Sequence, residues 1–296
     1  IRGIFELHDG TILVGGYAAL TSLERNNNYT TNENVKHKAS GIQQSGAMNV
    51  YAIVSDPLYP DSILWLASEG DGLLRYSISN NRSTKFLPRA NDANTLNSVY
   101  VFALYPEKDG NLWIGTWNGL QRLDVKNLQS PKFISYVHDA DNPKSMSTGI
   151  VCCITKASSG ILWVGSNDGG VNAIRPDKPN EFIHYVHNPK DSTSISNNDV
   201  RCIIEDKKGR MWFGTQGGGL NLLLPDGKSF KHFLETDGLP SNILYGILED
   251  SSGNLWLSTN KGISRFTPST NEFWNLTPKD GLQDFEFNTG SYYKCK

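Results

Sequence analysis

Long hydrophobic runs are missing from this sequence. No apolar stretch in its 296 residues reaches the roughly 18 needed for a membrane-spanning helix, which excludes direct insertion of the chain as one. A charge excess is missing too. Lys and Arg total 28 against 30 Asp and Glu, a net charge of -2, so no basic field invites nucleic acid or an anionic membrane. Cysteine is sparse: Cys152, Cys153, Cys202 and Cys295, with no C-x-x-C and no Cys/His cluster at metal-ligand spacing. That excludes a disulfide scaffold and the common zinc sites. The histidines are His8, His37, His138, His184, His187 and His232. They stand singly, apart from His184 and His187, which are expected to face solvent on an outer strand and its loop. No G-x-S-x-G, H-E-x-x-H or paired-acid motif appears, so no catalytic residue, cofactor or metal is expected. An initiator Met and a leader are absent, and Ile1 starts inside an apolar stretch. The chain therefore reads as a piece of a longer protein.

What is present is repetition. NLWIGTWNGLQRL from Asn111 returns as ILWVGSNDGGVNAI from Ile161, RMWFGTQGGGLNLL from Arg210, NLWLSTNKGISRF from Asn254 and ILWLASEGDGLLRY from Ile63. TILVGGYAALTSL from Thr11 is a weaker copy with Leu13 at the tryptophan position. Trp65, Trp113, Trp163, Trp212 and Trp256 are spaced by 48, 50, 49 and 44 residues. Periods of about 40 to 50 with several strands per unit signal β-propeller blades. Each unit divides into four short strands separated by Gly- and Asp-containing turns, as antiparallel hairpins require. The expectation is an all-β fold, one β-propeller over 1–296. Its four-stranded blades lie at about 1–49, 50–98, 99–148, 149–198, 199–242 and 243–287, and a further blade begins at 288–296.

The glycine run Gly217–Gly219 raises the question of a phosphate loop. Such a loop leads from a strand into a helix, whereas this run leads into another apolar strand, so a hairpin turn is the reading. Gly3, Ala52, Ala103, Cys153, Cys202 and Gly246 occupy matching places on the first strand of each unit. Innermost strands crowd together, so small residues are expected there, with Cys153 and Cys202 as free thiols. The repeated tryptophans are expected in the core. Arg75, Arg122 and Arg265 of the third strands are expected in framework salt bridges.

The motif D-x-x-G-x-[LI]-W-[IV]-G-T-x-x-G-L, seen as DGNLWIGTWNGL (109–120) and EDSSGNLWLSTNKGI (249–263), resembles the two-component regulator propeller repeat. The loop pattern HNPKDSTSISNNDVRCIIED (187–206) agrees with it. The resemblance implies the sensor region of a hybrid two-component protein of the Bacteroidetes. In that family propellers precede an immunoglobulin-like segment, a membrane span and a cytoplasmic histidine kinase. The implied location is the periplasm, and the implied partners are an oligosaccharide or polysaccharide fragment, a neighbouring propeller, the immunoglobulin-like segment and a second copy in a homodimer. The chain itself is expected not to be an enzyme. Alternatives are a protein-interaction scaffold without a small ligand, and a propeller lyase or glycosidase.

Turns between second and third strands share a face with the loops that link blades, and binding residues usually lie on such loops. The tips are Tyr17, Glu69, Trp117 with Asn118, Asn167, Gln216 and Asn260. At the top of the inner strands stand Arg2, Tyr51, Phe102, Cys152, Arg201 and Tyr245, each one residue before the small position. Aromatic faces and amides suit a sugar. Arg2 or Arg201 would clamp an acidic one. The expected ligand-binding set is Tyr17, Trp117, Asn118, Asn167, Gln216, Asn260, Arg2, Tyr51, Arg201 and Tyr245.

Overall fold

The computed structural model describes residues 1–16, 20–23, 37–39 and 49–294. Among these, 24 strands form six four-stranded antiparallel sheets, each in chain order from inner to outer strand. The helical content described is two short 3₁₀ turns, Glu235–Asp237 and Pro278–Asp280. The fold is all-β, and the sheets are propeller blades spanning 3–39, 49–86, 101–136, 151–185, 200–233 and 244–276. Contacts divide the chain into two compact units, Ile1–Ser135 with Gly290–Lys296, and Tyr136–Thr289. The tail forms no strand over its described part, 288–294, where the sequence predicts the start of a further blade. Instead the Ser291 hydroxyl donates to the Ile1 carbonyl, and Gly290 lies against the Arg2 carbonyl.

In the first unit, strands Ile63–Glu69 and Asn111–Thr116 are buried along almost their whole length. Adjacent positions are apolar there because both faces of the sheet are covered. Trp65 is fully buried, 5.6 Å from Phe86, which lies 6.0 Å from Phe133 of the next blade. The Trp65 indole N–H donates to Asp56 Oδ2 at 2.9 Å, and Asp56 also takes the backbone N–H groups of Leu58 and Tyr59.

The second unit repeats this clamp. Trp212 donates to Asp206 at 2.8 Å and Trp256 to Asp250 at 3.0 Å. Asp206 also accepts from Arg210 Nε and from the backbone of Lys208 and Arg210. Burial pushes the Asp206 carboxyl up, but these donors outweigh it and hold its pKa below the usual aspartate value. The same balance takes Asp250 down to about 2. The aspartate is thus an acceptor for the tryptophan, six residues on in the fifth and sixth blades and nine on in the second.

One blade lacks it. Ala157 stands at the aspartate position, and Trp163 Nε1 is buried with no hydrogen-bond partner among the described residues. An unsatisfied buried donor costs about 1–3 kcal/mol. Ala157→Asp rebuilds the clamp and is expected to raise unfolding free energy by about 1 kcal/mol. The check is a higher denaturant midpoint at unchanged m-value. A lower midpoint would mean that burying the new carboxylate outweighs the bond it makes.

Trp65, Trp113, Trp163 and Trp212 lie in the core as expected, but Trp256 is only half-buried. Its strand, Leu255–Thr259, alternates buried and half-buried residues, while the matching strands of the fourth and fifth blades are buried throughout. One face of the sixth sheet is therefore half-exposed. Trp274 on that face is 50% exposed and packs edge-on against Trp256 at 6.4 Å. Of the third-strand arginines, one keeps the expected ion pair and two differ. Arg75 lies 3.8 Å from Asp56, a loose ion pair, whereas Arg122 stacks on Trp113 and Arg265 on Trp274. Arg122 is the cross-strand partner of Trp113, and Arg265 that of Trp274, which sets each guanidinium over an indole.

The small-residue pattern has a cross-strand origin. Gly3 pairs with Gly15, Ala52 with Ala67, Ala103 with Gly115, Cys153 with Gly165, Cys202 with Gly214 and Gly246 with Ser258. Each inner strand therefore meets its neighbour through a small–small pair. Cys152, Cys153 and Cys202 are free thiols.

Candidate functional site

The register places the candidate site. In five blades the inner strand carries a bulge directly before its small residue. The unmatched residues are Tyr51, Phe102, Cys152, Arg201 and Tyr245, the positions that sequence reasoning put at the tops of the inner strands. A bulge re-aims the side chain it carries and is common beside functional sites. In the first blade Arg2 instead keeps a backbone bond to Gly15 at 2.9 Å.

The turns after the tryptophan strands are tied to the linking loops. Gly70 and Gly72 donate to the Val99 carbonyl, Gly217 and Gly219 to Asn242, and Gly170 to Asn198. Gly72, Gly170 and Gly219 have φ near +70°, where a side chain would be strained. This answers the glycine question: Gly217–Gly219 is a hairpin turn bonded to the next blade. Turn tips and linkers thus share one face within each unit.

On that face the first unit builds an aromatic cluster. The Tyr51 and Phe102 rings meet edge-on at 5.0 Å, and Phe102 lies 6.3 Å from Trp117. Trp117 lies 5.7 Å from Tyr100 and donates its backbone N–H to the Tyr100 carbonyl at 3.1 Å. Trp117 is 54% exposed and Tyr100 42% exposed. Glu69 forms a β-bridge with Tyr100. Its Oε2 accepts from the Tyr51 hydroxyl at 3.0 Å and from Asn49 Nδ2 at 3.1 Å. The Arg2 guanidinium stacks over the Tyr51 ring at 4.6 Å. The result is an open indole and phenol platform bordered by a fixed carboxylate.

The second unit is polar at the same level. Arg201 reaches Asp199 with Nη2 on Oδ2 at 2.6 Å, and Nε lies 2.6 Å from Oδ1 with its N–H turned off the line. Burial raises the Asp199 pKa more than Arg201 lowers it. Burial alone would lower that of Arg201, but the bond to Asp199 raises it. Tyr245 is raised by burial, then by Glu286, against Arg201. Burial pushes the Cys152 thiol up to about 11, Cys202 to about 12 and Cys153 well above its ordinary value. All three stay protonated at neutral pH, so none is an activated nucleophile.

Of the sequence-predicted residues, Tyr17 lies outside the described ones. Arg2, Tyr51 and Trp117 come together in the first unit. Asn118 is committed to the loop: its Nδ2 donates to the Asn97 carbonyl and its own carbonyl accepts from Asn97. Arg201 is neutralised by Asp199, which ends the linking loop two residues earlier and lies 2.6 Å from it. Arg2 stacks on the Tyr51 ring and keeps its charge, so of the two arginines only Arg201 is neutralised by a carboxylate. Asn167, Gln216, Asn260 and Tyr245 stand on the turns and strand tops of the second unit. Asn260 has a buried Oδ1 with no hydrogen-bond partner among the described residues. Sequence reasoning missed Asn49, Tyr100 and Asp199. The Asp199-x-Arg201 spacing was a readable signal for one of them. Nothing in the sequence marks Tyr100.

His184 and His187 are exposed, as expected, and four histidine rings are also bonded to loop carbonyls. His138 Nδ1 lies 3.1 Å from the Met146 carbonyl and His187 Nδ1 2.9 Å from that of Ile195. His184 Nε2 lies 2.8 Å from the Ser145 carbonyl and His232 Nε2 2.7 Å from that of Ser194. These rings donate to linking loops whose serine-rich backbone needs partners. Among the described residues no group of three or more His, Cys, Asp or Glu is placed to hold a metal.

A family model described as "Two component regulator propeller" matches residues 95–118, 194–217 and 238–261. Each match runs from a linking loop through an inner strand to the turn after the tryptophan strand. No curated protein sequence matches the chain. Among solved structures, the chain superposes on the extracellular domain of a protein assigned as a hybrid two component system from B. thetaiotaomicron. The TM-score is 0.72 at 20% identity, over 98% of this chain and 36% of that one. A catalytically inactive virginiamycin B lyase from Staphylococcus aureus, solved with quinupristin, gives 0.68 at 14%, over 97% and 87%. PorZ, a surface component of the type-IX secretion system of Porphyromonas gingivalis, gives 0.63 at 16%, over 93% and 45%. At these identities the superpositions establish the propeller fold. The chain spans little more than a third of the first of these relatives.

Proposed function

We propose that this chain of two-component regulator propeller repeats is the non-catalytic, extracytoplasmic sensor part of a hybrid two-component protein, recognising a glycan fragment and relaying to a cytoplasmic histidine kinase. The observation that carries the reading is the Trp117–Tyr100–Phe102 platform. An exposed indole and phenol, bonded to their turn and bordered by a fixed carboxylate, match the two faces of a pyranose: apolar C–H groups on one side, hydroxyls at the edge. The periplasm is the compartment this role requires. Further propeller and immunoglobulin-like segments, and a second copy, are the partners through which binding would bias a distant kinase. That relay needs different ligand affinity in two arrangements.

The test is calorimetric titration of the full chain with a panel of oligosaccharides, paired with Trp117→Ala. Because Trp117 is more than half exposed, its removal is expected to change stability by less than about 0.5 kcal/mol. It is expected to weaken binding by about tenfold or more, the equivalent of about 1.4 kcal/mol. Silence across the panel overturns the glycan reading. A second reading, a protein-interaction scaffold, draws on the half-exposed face of the sixth blade with Trp256 and Trp274. It gains if a Trp274 variant loses a protein contact while Trp117→Ala loses nothing. A lyase or glycosidase activity has less support, since the thiols stay protonated and four of the histidines are bonded to backbone.

A further inference from the structure

The charge of the ligand can be read from how the platform is bordered. This rests on the glycan reading above and concerns its selectivity. We infer that Glu69 is the specificity-determining residue, and that it selects a neutral or amine-bearing sugar and rejects one carrying sulfate or carboxylate where it meets Trp117.

Glu69 is fixed from three sides. Its backbone bridges to Tyr100, which holds the Trp117 backbone, and its Oε2 takes both the Tyr51 hydroxyl and Asn49 Nδ2. Its other oxygen, Oε1, has no partner among the described residues and is the acceptor left over at the platform edge. A carboxylate accepts only, through about four lone-pair sites. It therefore suits sugar hydroxyls or an ammonium, all of which donate. A sulfate or uronate offers only acceptors there and brings like charge against like.

No Lys or Arg is ion-paired with Glu69 among the described residues. Arg2 belongs to the first blade, and its guanidinium contact is the Tyr51 ring. In the first unit, Lys85 is held by Asp71 at 2.7 Å. Tyr51 and Asn49 lend Glu69 two hydrogen bonds but no charge, so neither bonded partner offsets the carboxylate.

The experiment uses the full chain, its tryptophan fluorescence and calorimetry. The neutral arm is cello-, manno- and galacto-oligosaccharides, the amine arm chitosan oligomers, and the acidic arm oligogalacturonate and heparin-derived oligosaccharides. Binding is expected in the neutral or amine arm only. Glu69→Gln keeps the size and one acceptor oxygen. It is expected to weaken that binding at least tenfold and to relax the rejection of acidic oligosaccharides. A variant that folds, shown by an unchanged melting curve, and binds the neutral or amine ligand as tightly as the parent overturns the assignment. So does an acidic oligosaccharide that binds the parent and is lost in Trp117→Ala, although that result leaves the glycan reading standing. Silence in all three arms overturns the glycan reading and this inference with it.

Discussion

Trp212→Ala is expected to be among the most damaging single substitutions in this chain. Trp212 is 1% exposed, and its ring lies 5.9 Å from Phe233 of its own blade and 5.7 Å from Phe266 of the next. Truncating a buried Trp to Ala costs about 3–5 kcal/mol through lost transfer energy and the cavity left behind. The polar loss adds to this. Asp206 is 4% exposed and would keep its charge while losing one of its donors, and an under-satisfied buried carboxylate is costlier than a neutral acceptor. The backbone and Arg210 donors to Asp206 remain, so the total is expected near the upper end of the cavity range, about 5 kcal/mol. Trp256→Ala sets the comparison. It breaks the same clamp to Asp250, but in a half-exposed face, so about half that cost is expected. Chemical denaturation of both variants by circular dichroism checks the ordering. Equal costs would show that the clamp, rather than burial between blades, is what the tryptophan contributes.

That ordering marks where the sequence could be read and where it could not. The period of the tryptophans is a direct record of the blades, since every repeat must bury its sheet against a neighbour with the same geometry. The identical motif around Trp256 hides the difference in its burial. Sequence records the repeat, while the burial of each tryptophan is set by the residues that pack around that copy. The site was partly legible for a similar reason. Tyr51 and Trp117 are singled out because they break the repeat at tip and strand-top positions, and the structure joins them through Phe102. Glu69 could be counted among the tips, but its fixing by Tyr51 and Asn49 depends on a bulge and on pairings 18 and 20 residues apart. Arg201 shows the opposite failure. An arginine at a strand top reads as an anion clamp until the Asp199 carboxylate at the end of the linking loop is seen to neutralise it.

The second large effect comes from the small–small pairs. Gly165 faces Cys153, and a Cβ at Gly165 would lie 2.5 Å from Cys153 Sγ and 2.9 Å from Val200 Cγ1 of the next blade. Two opposing terms decide the outcome of Gly165→Ala. Removing a glycine lowers the entropy of the unfolded chain and stabilises by about 0.4–1 kcal/mol. Forcing an extra methyl into a packed interior costs about 1–3 kcal/mol. The second term wins because both contacts are below any normal carbon separation and Val200 is wholly buried. A net loss of about 1–2 kcal/mol is expected for alanine, and failure to form the blade interface for valine. Cys153→Ala supplies the control. It removes the sulfur that the new methyl meets first, so the double variant is expected to be more stable than the sum of the two changes by about 1 kcal/mol. Strict additivity would mean that the clash is relieved by sliding the strands. In that case the small residues at the head of each inner strand would be serving the bulge beside them, which aims Cys152, and not the closeness of the sheets.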